Sequence, residues 1–334
     1  MTRILAALAL LVATLPPLVA DAAKAPNPAK VYFRIGNAND AVATATAGTV
    51  LMGGGTDVDT AFQWLCAKAP GGDFLVIRAT GTDAYNPYVQ ELCPGLNSVA
   101  TLIIGSASEA DSGFVREKIA QAEILWIAGG DQSNYINDWT GTAVQQELNL
   151  HVERGQPIGG TSAGLAVLTQ FVYSALGSQG VTSTQALADP YHKWVTLARD
   201  FASIPALADT IGDTHFVTRD RMGRTLAFLC RIHANGWSAA PRGIAIDEET
   251  ALLIDGGGKG TVVGNSSVYF IAAPGAPETC QPRTPLTYRN VAVRKVGAGG
   301  AFDVAAWRGN QGIQYSVSAE AGVLGSTQPG GSAY

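Results

Sequence analysis

Ser162 stands in Gly160-Thr161-Ser162-Ala163-Gly164, a G-x-S-x-G run whose glycines permit a sharp, strained turn. An apolar run precedes it and an apolar helical pattern follows, so the hydroxyl would sit clear of a sheet at a strand-to-helix join. A helix beginning near Ala163 would aim its first free N–H groups at the same point, which suits an oxyanion. The other reading is a glycine-rich turn whose serine caps a helix. The partners of the hydroxyl decide between nucleophile and cap.

A nucleophile needs a base, and the chain has four histidines: His151, His192, His215 and His233. His151 falls on an amphipathic helical pattern and His233 late in another, positions that favour structural or solvent roles. His192 lies in the loop Pro190-Tyr191-His192-Lys193. His215 is the best candidate, because Arg219, Arg221 and Arg224 follow it within ten residues and charge so concentrated points to a site. An orienting carboxylate could come from Asp247, Glu248 or Glu249, after an apolar strand, or from Asp189, Asp209 or Asp213 upstream. Spacing leaves that choice open. Arginine forks grip carboxylates in two-point fashion, so the three arginines suit a substrate with aspartyl or terminal carboxylates. A solvated, ion-paired helix start is the alternative.

These residues must be carried by elements. Apolar strand patterns at 49–52, 74–80, 98–106, 123–130 and 157–161 alternate with helical patterns at 58–68, 88–93, 114–122 and 142–154. Strands that are apolar throughout and separated by helices require a parallel sheet covered on both faces. The fold class is therefore α/β, a doubly wound, mostly parallel sheet. Ligands in such sheets bind outside the carboxyl ends of the strands. Gly53-Gly54-Gly55, Gly129-Gly130-Asp131-Gln132 and Gly160-Thr161-Ser162 all fall there. Gly53-Gly54-Gly55-Thr56-Asp57 lacks the G-x-G-x-x-G spacing and no Walker lysine follows, so it reads as a tight turn, not a nucleotide site. Downstream, a long connection spans 171–210, a helix 225–233, and a hairpin-like pair of apolar runs 243–254 with the acids at the join. Further strands fall at 262–263, 267–272 and 288–296, and a Gly/Ser/Gln-rich, loose tail begins near Ser318.

With 47% hydrophobic and 15% charged residues in 334, the chain is an ordinary globular protein with ample core. Its net charge of −5 and lack of a basic run argue against nucleic acid or an anionic membrane as partner. Met1-Thr2-Arg3, an apolar stretch over 4–20 and small residues around Val19-Ala20-Asp21-Ala22-Ala23 read as a secretory signal peptide, with the mature chain starting near Ala23. Pro16-Pro17 and the short apolar length argue against a spanning anchor. A secreted or periplasmic location follows, with no membrane association once the signal is removed. Export permits disulfides among Cys66, Cys93, Cys230 and Cys280. Of three pairings, Cys66 with Cys93 and Cys230 with Cys280 is favoured because each stays within one half of the chain. Buried free thiols are the alternative.

Four ordered motifs resemble a known family. They are Trp126-Ile127-Ala128-Gly129-Gly130-Asp131-Gln132, Gly159-Gly160-Thr161-Ser162-Ala163-Gly164, the run from Asp213 through His215-Phe216 to Arg219, Arg221 and Arg224, and Gly243-Ile244 through Ile246-Asp247-Glu248 to Thr250-Ala251. Together they resemble the S51 serine peptidases, cyanophycinase and its relatives including aspartyl dipeptidase, over roughly residues 49–275. The resemblance implies a class I glutamine amidotransferase-like fold, with additional strands toward the C-terminus. It also implies a Ser-His-acid triad, no metal and no cofactor. By the same resemblance Ser162 is the nucleophile, His215 the base and Glu248 the third member. Gly130 and Ala163 would form the oxyanion site. Gln132, Asp213, Arg219, Arg221 and Arg224 would bind an aspartate-rich peptide substrate. A homodimer is implied by the resemblance alone. One departure bears on substrate: cyanophycinase has glutamine before the histidine, where this chain has Thr214.

The chain thus divides into a signal peptide (1–22), a lead-in segment (23–48), a single peptidase domain (49–317) and a flexible tail (318–334). The expected function is a secreted exopeptidase that releases β-Asp-Arg dipeptides from multi-L-arginyl-poly-L-aspartate. A dipeptidase or amidase on small aspartyl or isoaspartyl peptides is the nearest alternative, and a non-catalytic peptide-binding protein the next.

Overall fold

A computed structural model describes residues 32–334, so the apolar leader, the expected mature start near Ala23 and the first part of the lead-in segment lie outside the described residues. In chain order the first half runs β1 (Tyr32–Gly36), β2 (Gly48–Met52), α1 (Asp59–Cys66), β3 (Asp73–Arg78), α2 (Tyr85–Leu92), β4 (Ser98–Ile103), α3 (Ala107–Ala110), α4 (Gly113–Gln121), β5 (Ile124–Ile127), α5 (Gln132–Trp139), α6 (Ala143–Glu153), β6 (Ile158–Thr161) and α7 (Ala163–Leu168). The second half adds β7 (Phe171–Tyr173), α8 (Ser183–Ala188), β8 (Leu197–Arg199), β9 (Thr210–Asp213), α9 (Met222–Ala234), β10 (Arg242–Ile246), β11 (Thr250–Asp255), β12 (Lys259–Gly264), β13 (Ser267–Ala272), β14 (Tyr288–Gly297), β15 (Ala301–Asp303), β16 (Ile313–Glu320) and β17 (Val323–Ser326).

Nine strands form one sheet, in the order β1-β4-β3-β5-β6-β2-β11-β12-β15. Its centre, β4-β3-β5-β6-β2, is parallel, as strands buried along their whole length require. Period-two side-chain alternation divides the core. Val50 and Met52 pack with Phe62, Leu65 and Trp126 under α1 and α2, while Leu51 faces the opposite core.

That opposite core is where the structure departs from the expected covering of helices alone. Helices α4 to α7 cover part of the face, and a second sheet of eight strands, β17-β16-β14-β13-β10-β9-β7-β8, shares the same core through Ile244, Ile246, Val268 and Phe270. The outer face of this second sheet packs Ile211, Ala245 and Ile271 against Leu226, Phe228 and Leu229 of α9.

The run 243–254 is not a hairpin. β10 pairs with β9 and β13 in the second sheet, whereas β11 pairs with β2 and β12 in the first, so Asp247-Glu248-Glu249 is a crossover between sheets. The stretch from Ser318 also differs from expectation. β16 buries Tyr315, Val317 and Ala319 in alternation and pairs with β17, so small and polar residues there form an edge hairpin in place of a loose tail.

The cysteines pair Cys66 with Cys93 and Cys230 with Cys280, closing separations of 27 and 50 residues. Cross-links of that span stabilise by roughly 2–4 kcal/mol each through the unfolded state. One ties α1 to the end of α2, the other ties α9 to the segment before β14. Among the described residues, no helix is long and apolar enough to cross a membrane.

Candidate active site

Two registers bring the site residues together. In the first sheet Met52 lies opposite Thr161, so Gly53 and Ser162 leave adjacent parallel strands side by side. In the second, Asp213 lies opposite Ala245, so His215 and the acids at 247–249 also leave neighbouring strand ends. Three successive carbonyls at the end of β2 then fix the three loops. Met52 accepts from Ser162 N at 3.0 Å, Gly53 from His215 N at 2.8 Å and Gly54 from Glu249 N at 2.9 Å.

The glycines of that stretch are required by contact. A Cβ on Gly54, whose φ is +100°, would stand 2.4 Å from His215 Cε1, and one on Gly53 would stand 2.0 Å from Asp247 O. Gly53-Gly54-Gly55, read from sequence as a tight turn, is the surface on which His215 and Glu248 rest. The signal was available: glycines at the carboxyl end of a central strand with no phosphate motif have a packing reason to be there.

Ser162 has φ 51° and ψ −114°, a conformation that costs a non-glycine residue on the order of 1–3 kcal/mol and projects the hydroxyl from the turn. Gly160 and Gly164 allow the turn, since a Cβ on Gly164 would meet Ile127 O at 2.0 Å. Ser162 Oγ lies 2.8 Å from His215 Nε2, and His215 Nδ1 lies 2.5 Å from Glu248 Oε1. His215 is nearly enclosed, with 9% side-chain exposure, while Glu248 is 30% exposed. Burial lowers the His215 pKa below 6.5, and the charges of Arg219 and Arg221 press it down further against the opposing effect of Glu248. The imidazole is therefore neutral near pH 7, as a proton acceptor must be.

The two acids flanking Glu248 hold the loops. Asp247 accepts from Val217 N at 3.1 Å and Ser266 Oγ at 3.0 Å, and Glu249 accepts from Asn265 Nδ2 at 3.0 Å. The other histidines lie elsewhere. His151 is fully buried on Pro157 O at 2.9 Å, with its pKa lowered to about 4 by burial. His192 packs on Trp194, and His233 Nδ1 lies 3.2 Å from Ala239 O.

The remaining candidates separate into two groups. Gly129 lies beside Ser162, a Cβ on it standing 3.5 Å from Ser162 Cβ, whereas a Cβ on Gly130 would face the Tyr135 hydroxyl at 3.3 Å. Ala163 opens α7, so its N–H has no acceptor one turn back. Gln132 opens α5 and donates to Tyr173 O at 3.3 Å. Asp213 and Arg224, by contrast, are spent on each other: Arg224 Nε donates to Oδ2 at 2.9 Å and Nη2 to Oδ1 at 2.5 Å, with both side chains buried. Burial would raise the Asp213 carboxyl, but Arg224 and Arg221 hold it below the usual range. Arg221 donates to Thr214 O at 2.7 Å and Oγ1 at 3.0 Å, so Thr214 is an arginine anchor. Arg219 is exposed and has no carboxylate partner among the described residues.

Tyr334 was not anticipated from sequence. Its hydroxyl donates to Asp220 Oδ1 at 2.7 Å and accepts from Met222 N at 2.9 Å, and its ring packs edge-on to Phe216 and Tyr269. It thus clasps the turn that carries Arg219 and Arg221.

Comparison with known proteins gives the chain's family. A cyanophycinase of Trichormus variabilis (strain ATCC 29413 / PCC 7937) is 29% identical over 215 residues, covering 62% of this chain and 66% of the relative. A cyanophycinase of Synechococcus elongatus is 28% identical over 180 residues, covering 53% of this chain and 50% of that one. The chain therefore matches between half and two thirds of the length of these relatives. A solved peptidase from an acI-B1 Actinobacterium has the same fold, with a TM-score of 0.51 at 16% identity over 78% of this chain and 98% of the other. Residues 50–262 match peptidase family S51, and the chain belongs to that family of serine peptidases.

Proposed function

We propose that the protein is an exported exopeptidase of cyanophycinase type, which hydrolyses multi-L-arginyl-poly-L-aspartate to β-Asp-Arg dipeptides through Ser162, His215 and Glu248. The observation that carries this reading is the unbroken line from Ser162 Oγ through both nitrogens of His215 to Glu248. His215 Nε2 takes the hydroxyl proton as Oγ bonds to the backbone carbonyl carbon. The N–H groups of Gly130 and Ala163 receive the developing oxyanion. Collapse breaks the C–N bond, His215 returns the proton to the leaving amine, and water then cleaves the ester with His215 as base. Glu248 orients the ring and balances the imidazolium. Arg219 and Arg221 supply positive charge for free carboxylates of the substrate.

Incubation with insoluble cyanophycin, followed by mass analysis of the soluble fraction, tests the proposal. A β-Asp-Arg product that Ser162→Ala does not form is the expected result. A second reading, a dipeptidase on small aspartyl or isoaspartyl peptides, is favoured by the closure of Arg224 on Asp213, which leaves fewer free cations for a substrate with many carboxylates. Release of product from small peptides alone would select it. Export is tested by intact mass of the mature chain, which should begin near Ala23.

A further inference from the structure

Residues 263–334 lie beyond the segment that matches the family, yet they reach its centre through Tyr334. The turn between β9 and α9 carries His215, Arg219 and Arg221, and it is tightly bent. His215 and Asp220 have φ of 46° and 47°, in the left-handed region that residues other than glycine rarely adopt. A turn of that shape keeps its form only where its surroundings hold it. On one side Asp247 Oδ1 accepts from Val217 N at 3.1 Å. On the other, Ser183 Oγ donates to Asp220 O at 2.5 Å and the Tyr334 hydroxyl donates to Asp220 Oδ1 at 2.7 Å.

Helix α9 starts directly after this turn, and Arg221 before it offers no side-chain cap. The Tyr334 hydroxyl fills that role from 112 residues away, accepting from Met222 N at 2.9 Å. Both hydrogen-bonding capacities of the phenol are thus used at the turn. Burial, with the Asp220 carboxylate, raises its pKa, so the hydroxyl remains a donor at neutral pH. The ring adds a second hold. Phe216, next to His215 and fully buried, packs against Tyr334 and Tyr269 at centroid distances of 5.5 and 5.1 Å. Tyr334 is itself fixed from within residues 313–334, where the Tyr315 hydroxyl donates to Ala333 O at 2.8 Å and Gln328 Nε2 to Tyr334 O at 3.1 Å.

We propose that Tyr334 is a positioning residue of the peptidase centre: through Phe216 its ring holds His215 in line with Ser162, and through Asp220 its hydroxyl holds the turn that presents Arg219 and Arg221. This role rests on Ser162 being the nucleophile and is independent of which peptide is cleaved. It makes a segment outside the family match part of what sets the geometry of the centre.

The rate at which an alkyl fluorophosphonate modifies Ser162, followed by intact mass, reads how well His215 activates the hydroxyl and needs no peptide. Tyr334→Ala should slow it about thirtyfold, since a displacement of about 1 Å at reacting groups costs up to about a hundredfold. Tyr334→Phe keeps the ring and should slow it about threefold, as expected for one lost hydrogen bond. Asp220→Gly, which suits the left-handed backbone and removes the carboxylate, should match Tyr334→Phe, and the double variant should be no slower than either. Val317→Ala opens a cavity in β16 of the same segment and removes no hydrogen bond to the turn. It should lower the unfolding midpoint and leave labelling within about twofold.

Parental labelling of Tyr334→Ala overturns the proposed role, and so does equal slowing by Val317→Ala, which would mean that the segment acts through stability alone. Where Tyr334→Ala does not fold, a parental rate in Tyr334→Phe overturns it instead. An unlabelled parent would reject Ser162 as nucleophile and the role with it. Slowed labelling of the variants in a protein that does not hydrolyse cyanophycin would keep the role of Tyr334 and reject only the substrate.

Discussion

The end of β9 delivers two carboxylate pairs, two residues apart, with opposite fates. Asp213 is closed: both oxygens meet the Arg224 fork, Thr225 Oγ1 donates to Oδ2 at 2.9 Å, and the pair is 6% and 3% exposed. His215 is open: one nitrogen rests on the partly exposed Glu248 and the other on Ser162 Oγ. Charge that is fully satisfied inside the protein specifies where a strand ends, and the partly exposed pair is the one placed to move a proton under the proposed mechanism. The inward pair is the footing of the outward one.

Changes at the open pair should act on rate. Ser162→Ala is expected to lower kcat by on the order of 10⁴–10⁶ while leaving the fold intact, and His215→Ala alike, with the double variant no worse than either. Near-parental turnover in Ser162→Ala would break the comparison at once. Changes at the closed pair should act on stability. Asp213→Asn or Arg224→Met should each cost about 3–5 kcal/mol in denaturant unfolding, because each leaves a buried partner uncompensated. Replacing both together should cost less than the sum, and strict additivity would mean that the two do not act as a pair.

Gly54→Ala lies between these cases. Its Cβ must displace the His215 ring, so kcat/KM should fall about a hundredfold with only about 1 kcal/mol of lost stability; unchanged kinetics would show that the glycine serves turning alone. The smallest effect belongs to Arg219→Gln. Burial and the nearby arginines hold the His215 pKa below 6.5, so the acid limb of kcat/KM lies below that pH, where the base becomes protonated. Removing one positive charge raises the histidine pKa, and the limb should move to higher pH by less than about one unit, less so in high salt because Arg219 is exposed. A shift in the other direction would contradict the assignment of His215 as base.

The parallel half of the fold was legible because strands buried on both faces announce themselves as apolar runs: Thr49-Val50-Leu51-Met52 and Ile124-Leu125-Trp126-Ile127 needed only local pattern. The second sheet was harder. β7 and β8 have three residues each, and β9 is Thr-Ile-Gly-Asp, too short and too polar for periodicity to detect. The 243–254 run failed for another reason. Local signals show that two strands flank a turn but carry no information on which neighbours they pair with, and here each joined a different sheet. At the site, motif order located Ser162 and His215, but Asp247, Glu248 and Glu249 have nearly identical local chemistry and only the crossover geometry separates their partners. Likewise Arg224 and Arg219 look alike in sequence, and only burial tells the anchor from the free cation.

The row of carbonyls Met52, Gly53 and Gly54 has a kinetic consequence. Ser162, His215 and Glu249 are spread over 88 positions of the chain, yet their amides hang on three adjacent acceptors. During synthesis the row cannot be filled in full until the chain has been made through residue 249 and folded back onto a strand completed nearly 200 residues before. The third contact therefore waits for the crossover that joins the two sheets. In hydrogen exchange the three amides should slow together and be released by one shared opening, the one that frees the end of β2.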